Sequence, residues 1–369
     1  MLLGLEFTLF YFVLVSAIFW LIRPLSASVA IIFLLIVNFV SLTIADYIIT
    51  LIVLLQFGFI ALLFAFRNRV PARISGIYPW FAFLSLVPAN IIPHIVPHSK
   101  MLSFSSNVGI AGALPLLGVS FVIVKSFIIL KESIKLGHIP VLPSLAALTF
   151  VPSFPAGPIH GMGPWKSENL ARSIGIRDVA MAVAMAGWGT AALYVLAPQL
   201  RALANNLPAG ALGEIGSIYV RFAALYFDFS GYSLLAIALA ALFGVTLPQN
   251  FNRPYLATSI REFWRRWHMT LNWFVGTYLF KPFVRVSGSA RKGIFLAFIC
   301  VGIWHEFSIG YLLWGIGHGF ALSLAMQPPR FWTSLMARLP HPLATFINWA
   351  LTMSWVALLS HTATVWLGV

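Results

Sequence analysis

The chain has 369 residues, 60% of them hydrophobic and only 9% charged, an apolar load that no single water-soluble core can hide. Its formal net charge of +14 comes from 23 Lys and Arg scattered through short loops, which argues against a nucleic-acid partner bound on a basic soluble domain. The composition is that of a polytopic, all-α membrane protein.

Taken in order, apolar runs predict spans at 3–22, 27–44, 48–66, 77–93, 108–130, 179–197, 234–245, 309–325 and 346–367. The third holds 19 residues without a charge, close to the ~20 that cross ~30 Å of hydrocarbon as a helix. Shorter runs at 141–154, 215–225, 273–285 and 294–303 read as re-entrant or interfacial unless tilted, which gives about 9–11 transmembrane helices in all. The first span lacks the basic start and small-residue cleavage pattern of a removed signal peptide and reads as retained. Alternating loop charge puts the N-terminus outside, Arg67, Arg69 and Arg73 in the cytosol with Lys131 and Lys135, and Arg330 and Arg338 in the cytosol before a last span that ends outside. That count requires one of the shorter runs to cross.

The character of the chain changes near residue 150. Residues 1–150 are sparse in polar groups and read as N-terminal transmembrane helices. Residues 151–325 carry blocks rich in Pro, Gly, Trp and His and read as the core that holds the functional site, and 326–369 supply a C-terminal span. Irregular backbone at membrane depth is tolerated only where protein or a water-filled cavity surrounds it, so the second half holds the site. FPAGPIHG, 154–161, reads as a turn, with His160 unassigned.

In TSIREFWRRWHMTL, 258–271, Ser259 and Glu262 form the S-x-x-E start of a helix predicted to run over 259–271. Glu262 and Arg266 are an i, i+4 pair, and Arg261, Arg265 and His268 share one face of that continuous helix. Two readings stand: an interfacial anchor with Trp at headgroup depth, or arginines that face an anionic donor.

In FICVGIWHEFSIGYLLWGIGHG, 298–319, His305 is an ionisable group in an apolar run and is the best catalytic candidate; its other reading is a core histidine satisfied by a carbonyl. Trp304, Glu306 and His318 share the block. A zincin pattern starting from His305-Glu306 ends on Ile309 instead of a histidine, and Cys300 lies roughly 140° around the helix from His305. Cys300 therefore reads as packing. His94 and His98 are separated by prolines and read as an outer loop, so no metal site is predicted. In YFDFSGYS, 226–233, Asp228 reads as a structural tie to a cation, with Ser230 beside it, and Asn252 lies in LPQNFNRPYL, 247–256. These are supporting candidates.

At these residues the sequence resembles the membrane-bound O-acyltransferase (MBOAT) superfamily, in particular its bacterial branch of alginate O-acetyltransferases and teichoic-acid D-alanine transferases. The run 226–271 carries most of the likeness, with FPAGPI and GIWHEFS-IGYLLWGIGHG as shorter blocks, so the resemblance covers roughly 150–325. It implies a helical bundle around a central cavity, with His305 as the catalytic histidine and His268 as a second functional one. Three positions depart from the pattern. Glu306 stands where the family usually has Gly, Leu234 where the acetylating branch has Asp, and Gly276-Thr277-Tyr278 where an Arg-Asp-Tyr run is usual.

The expected activity is acyl transfer, acetyl first, from a cytosolic thioester, acetyl-CoA or an acyl carrier, to a hydroxyl of an envelope glycan outside. His305 would be general base, Arg261, Arg265 and Arg266 would meet the donor, and no cofactor would be bound. Partners would be donor, glycan, membrane lipid and other envelope-biosynthesis subunits, in the bacterial cytoplasmic (inner) membrane. D-alanyl transfer to a teichoic-acid-like polymer is the alternative within the family. A transporter or an inactive structural subunit is the alternative outside it.

Overall fold

The computed structural model describes residues 14–45, 47–71, 78–85, 109–170, 174–306 and 308–365. Among these residues all regular structure is helical, with no strand. Six helices are long and apolar enough to cross a membrane: Ala27–Ala45, Tyr47–Arg69, Ile176–Asn205, Ala211–Leu242, Ile309–Met326 and His341–Ala363. The chain is a multi-pass, all-α membrane protein.

By contacts the chain divides into two units, Met1–Thr190 with Gly231–Pro248, and Ala191–Ser230 with Gln249–Val369. In the first, α1 is Ser16–Ile22, α2 Ala27–Ala45, α3 Tyr47–Phe66, α4 Gly109–Leu136, α5 Val141–Thr149 and α6 Ile176–Ala191. Helices α2 and α3 carry no charged residue and are apolar nearly all round, as those lying between lipid and a bundle are. On α2, Ile32, Ile36, Val40 and Ile44 form an exposed i, i+4 stripe, while Ala30, Leu34 and Leu42 are buried with Asn38. The Asn38 side-chain carbonyl accepts the Val151 N–H at 3.4 Å, which gives this buried amide a partner.

The segment 150–161, predicted as a turn, is a buried loop that opens with the 3₁₀ turn Val151–Ser153. Two side chains of α4, seven residues and so about two turns apart, hold it. The Lys125 ammonium donates to Ser153 Oγ at 3.1 Å, and the Glu132 carboxylate accepts the Met162 N–H at 2.8 Å. His160 is buried there, with Nε2 3.2 Å from Ser153 Oγ and Nδ1 3.1 Å from the Gly161 carbonyl. A Cβ at Gly161 would lie 2.5 Å from the Glu132 carboxylate, so this position admits only glycine without a shift.

The second unit holds α7, Ala197–Asn205; α9, Ile260–Arg266; α10, Met269–Phe274; α11, Lys281–Ser287; α12, Ala290–His305; α13, Ile309–Met326; α14, Arg330–Arg338; and α15, His341–Val365. Helix α8, Ala211–Leu242, contributes its first part here and its remainder, from Gly231, to the first unit.

Several expectations change. The predicted span 234–245 and the short run 215–225 are parts of one 32-residue helix, α8. Its continuity through the polar positions has a physical cause in α7: Arg201 pairs with Asp228 at 3.1 Å, and Arg221 donates to Asn205 Oδ1 at 2.7 Å. The run 273–285 is α10 and α11 joined by the π-helical segment Val275–Phe280. Of the predicted span 77–93, Tyr78–Ser85 winds as a 3₁₀ helix and the rest lies outside the described residues, as do most of 3–22 and both His94 and His98.

Candidate functional site

Helices α12 and α13 make a tight hairpin because glycines let their backbones meet. A Cβ at Gly302 would lie 2.3 Å from the Tyr311 carbonyl oxygen, one at Gly315 2.5 Å from that of Phe298, and one at Gly319 3.0 Å from that of Phe295. Gly315 and Gly319 are four apart, the small-x-x-x-small spacing of close helix pairs in membranes. His305 is the last residue of α12, and Ser308 starts α13 by accepting the Tyr311 N–H at 3.3 Å. The imidazole is thus presented at a helix end, at the bend of the hairpin.

Aromatic rings frame it. His305 stacks on Tyr311 with centroids 5.4 Å apart and 27° between planes, meets Trp314 edge-on at 5.3 Å, and lies 4.8 Å from Trp304. Trp314 in turn lies 4.6 Å from His318, whose Nδ1 accepts the Trp264 indole N–H at 3.2 Å. Trp264 also packs on Phe298 at 4.8 Å, so α9 is pinned to the hairpin by one side chain. Glu306 follows in extended backbone, half-buried, and burial raises its carboxyl above the ordinary range.

The predicted continuous helix over 259–271 is broken. Helix α9 ends at Arg266, Trp267 is extended, His268 takes the left-handed conformation at φ 42°, and α10 begins at Met269. The cause lies in the loop before α9, which takes the backbone groups a helix would have used. Asn252 N–H donates to the Arg266 carbonyl at 2.9 Å, Met269 N–H to the Asn250 carbonyl at 2.8 Å, and Thr270 Oγ1 to Asn250 Oδ1 at 2.8 Å. The expected common face of Arg261, Arg265 and His268 therefore does not exist. Instead His268 is buried, its ring edge-on to Phe229 at 4.8 Å, while Arg261 and Arg265 are exposed. Burial first, and then the neighbouring His305 imidazole, hold His268 well below the usual histidine range, so it is neutral at pH 7.

The rest of the block forms as the sequence predicts. Ser259 Oγ accepts the Glu262 N–H at 3.2 Å, and Arg266 pairs with Glu262 at 2.6 Å. The reciprocal half of the capping box is shifted by one residue, because Glu262 accepts from the N–H and hydroxyl of Thr258 at 2.8 and 3.1 Å. Asp228 is tied to Arg201, as the structural reading expects, and Ser230 sits one turn beyond Tyr226 on α8 and hydrogen-bonds to it. Asn252 serves through its backbone, with its residue exposed.

The site therefore brings together His305, Trp304, Glu306 and His318, with His268 near enough to be coupled to His305. Sequence reasoning missed Tyr311 and Trp314, although their i+6 and i+9 spacing from His305 across a Ser-capped start is visible. It also missed Asn250, whose role no local pattern marks. Among the described residues no three of His, Cys, Asp and Glu come together as a metal-ligand set.

Residues 219–366 match the model of MBOAT, the membrane-bound O-acyltransferase family. The chain is 36% identical to a peptidoglycan O-acetyltransferase of Helicobacter pylori over 140 residues, which are 36% of this chain and 25% of that protein. It is 42% identical to the probable alginate O-acetylase AlgI of Pseudomonas aeruginosa over 105 residues, 28% of this chain and 20% of the relative. With the teichoic acid D-alanyltransferase of Bacillus subtilis it is 26% identical over 303 residues, 70% of this chain and 74% of that one. The stretches shared with the first two are thus a quarter or less of their length. Residues 219–366, which include both histidines and the glycine-packed hairpin, are thus the part of the chain that is similar to the membrane-bound O-acyltransferase family.

Proposed function

We propose that this protein is a membrane O-acyltransferase that moves a short acyl group, acetyl first, from a cytosolic thioester to a hydroxyl of an extracytoplasmic cell-envelope polymer. The observation that carries the reading is the presentation of His305 at the hairpin bend, walled by Tyr311 and Trp314, beside a second, neutral histidine. In the reaction His305 takes the acceptor hydroxyl proton as the oxygen attacks the thioester carbonyl. The C–O bond forms, the tetrahedral oxyanion collapses, the C–S bond breaks, and the proton passes to the departing thiolate. His268 stabilises developing charge or orients a substrate, and His318 holds Trp264 in place.

Three further assignments belong to the same reading. Arg261 and Arg265, exposed on α9, meet the donor, acetyl-CoA or an acyl carrier, from the cytosol, while Arg266 is engaged by Glu262. The protein resides in the bacterial cytoplasmic membrane and works with other envelope-biosynthesis subunits. D-alanyl transfer is the second reading, supported by the 303-residue alignment with the B. subtilis D-alanyltransferase.

Mass spectrometry of envelope glycans from cells with and without the gene tests the proposal. Loss of an acetyl ester mass supports the first reading and loss of a D-alanyl ester the second; no ester change refutes both.

A further inference from the structure

The left-handed backbone at His268 is held from both sides by one short stretch, residues 250–252, of the loop before α9. Asn250 is 1% exposed. Its main-chain carbonyl accepts the Met269 N–H at 2.8 Å, and its side-chain Oδ1 accepts the Thr270 hydroxyl at 2.8 Å and the Thr270 N–H at 3.4 Å. Two residues on, the Asn252 N–H donates to the Arg266 carbonyl at 2.9 Å. The break at Trp267-His268 is thus anchored at Arg266 before it and at Met269 and Thr270 after it.

The residue between the two asparagines fixes the wall against which the imidazole lies. Phe251 meets Trp267 edge-on at 5.1 Å and Phe229 edge-on at 5.0 Å, and Phe229 is the ring that His268 meets at 4.8 Å. A residue with a Cβ is strained in the left-handed region, and a relaxed residue 268 would let α9 run on into α10 and turn the imidazole away from Phe229. Such strain persists only where the surroundings over-determine it. The Asn250 carboxamide does so through a side chain, since one carbonyl oxygen takes both donors of the buried Thr270.

We propose that Asn250 and Thr270 are positioning residues for the transfer reaction, the hydrogen bond between their side chains aiming the His268 imidazole. Both are too deeply buried to meet a substrate themselves. The proposal rests on the acyl-transfer reading, in which His268 takes part beside His305, and adds to it the device that sets the second histidine. The residue types allow the bond to be removed with little change of volume: Leu at 250 and Val at 270 lose it, and Ser at 270 keeps it.

Two measurements on the full-length chain test this. Purified protein in detergent is treated with diethyl pyrocarbonate, and the labelling of His268 and His305 is read by peptide mass spectrometry. Cells lacking the gene and carrying one variant each give the initial rate of ester appearance on envelope glycans, normalised to folded protein in the membrane. In Asn250→Leu and in Thr270→Val the buried His268 should label several-fold faster relative to His305, and the rate should fall by roughly ten- to a hundredfold, the scale on which a group displaced by about 1 Å loses effect. Thr270→Ser should return both readouts to the wild-type values, and Ser259→Ala, which removes a hydrogen bond at the start of α9, should leave both unchanged. The double variant should be no slower than Asn250→Leu alone, because the two substitutions break one bond; if Asn250→Leu does not accumulate, Thr270→Val against Thr270→Ser decides. Faster labelling with an unchanged rate, a lower rate with unchanged labelling, or a Ser259→Ala that behaves like Thr270→Val would each overturn the proposal and leave the acyl-transfer reading standing. No ester difference between the wild type and the strain without the gene would overturn that reading, and the proposal with it.

Discussion

The indole of Trp264 donates its N–H to Nδ1 of His318 at 3.2 Å, so a side chain on α9 and one on α13 share a buried hydrogen bond fifty-four residues apart in sequence. Trp264→Phe keeps most of the ring but leaves the His318 acceptor buried without its donor, and is expected to destabilise by about 1–3 kcal/mol. In a double-mutant cycle with His318→Phe the penalties should fail to add, by about 1 kcal/mol. Unfolding in detergent of the two single variants and the double variant measures this, and strict additivity would remove the pinning role from this pair.

His305→Ala is expected to lower transfer by ~10²- to 10⁴-fold with unchanged membrane insertion and yield, as removal of a general base does. A reconstituted assay with purified variant protein reads the loss directly. Full activity would return His305 to a packing role and favour an inactive-subunit reading.

Arg265 and Arg266 are expected to behave differently. Arg266→Ala breaks the 2.6 Å pair with Glu262 and should lower stability, whereas Arg265→Lys should raise the donor KM more than the acceptor KM, because the planar guanidinium fork is lost. Raising salt should weaken donor binding in the wild type. Steady-state kinetics with each substrate varied in turn decide, and equal shifts for both substrates would make α9 an anchor only.

Glu262 should give stability an acid limb. The Thr258 N–H, followed by the Thr258 hydroxyl and Arg266, holds its carboxyl below the usual value against the opposing effect of burial. A depressed folded pKa means that the stabilisation is fully present above the unfolded value of about 4.5 and is lost as pH falls through the folded one. Between pH 5 and pH 3 (roughly), the melting temperature of the wild type should therefore fall more than that of Glu262→Gln. Parallel curves for the two proteins would contradict this.

Loop charge places Arg69 in the cytosol and the C-terminus outside. After Cys300→Ser, a cysteine at Arg69 should react with a membrane-impermeant maleimide only in opened cells, and one added after Val369 should react in intact cells. Labelling of the Arg69 position from outside overturns the topology.

Spans such as Ala27–Ala45 and Tyr47–Phe66 were legible to within one residue, because twenty apolar residues in a row have few other folds open to them. The α8 helix was not. Arg221 and Asp228 divide its hydropathy into two short runs, and only their partners on α7 allow the helix to pass through. Likewise, the letters 259–271 favour one helix locally, and the break at Trp267-His268 is imposed by Asn250 and Asn252 from sixteen to eighteen residues upstream. His305 was legible as an ionisable group in an apolar run. Its walls, Tyr311 and Trp314, required the hairpin to be closed first.

The left-handed backbone at His268 separates what folding wants from what the side chain supplies. A residue with a Cβ pays about 1 kcal/mol for this conformation that glycine does not, so His268→Gly should unfold at a higher temperature than His268→Ala. Removing the buried imidazole from its place against Phe229 costs the same in both. The chain thus carries, at a bend where glycine would be the easier choice, a residue whose ring is worth more than the relaxed turn. Because the imidazole is missing from both variants, their difference reads the backbone contribution alone.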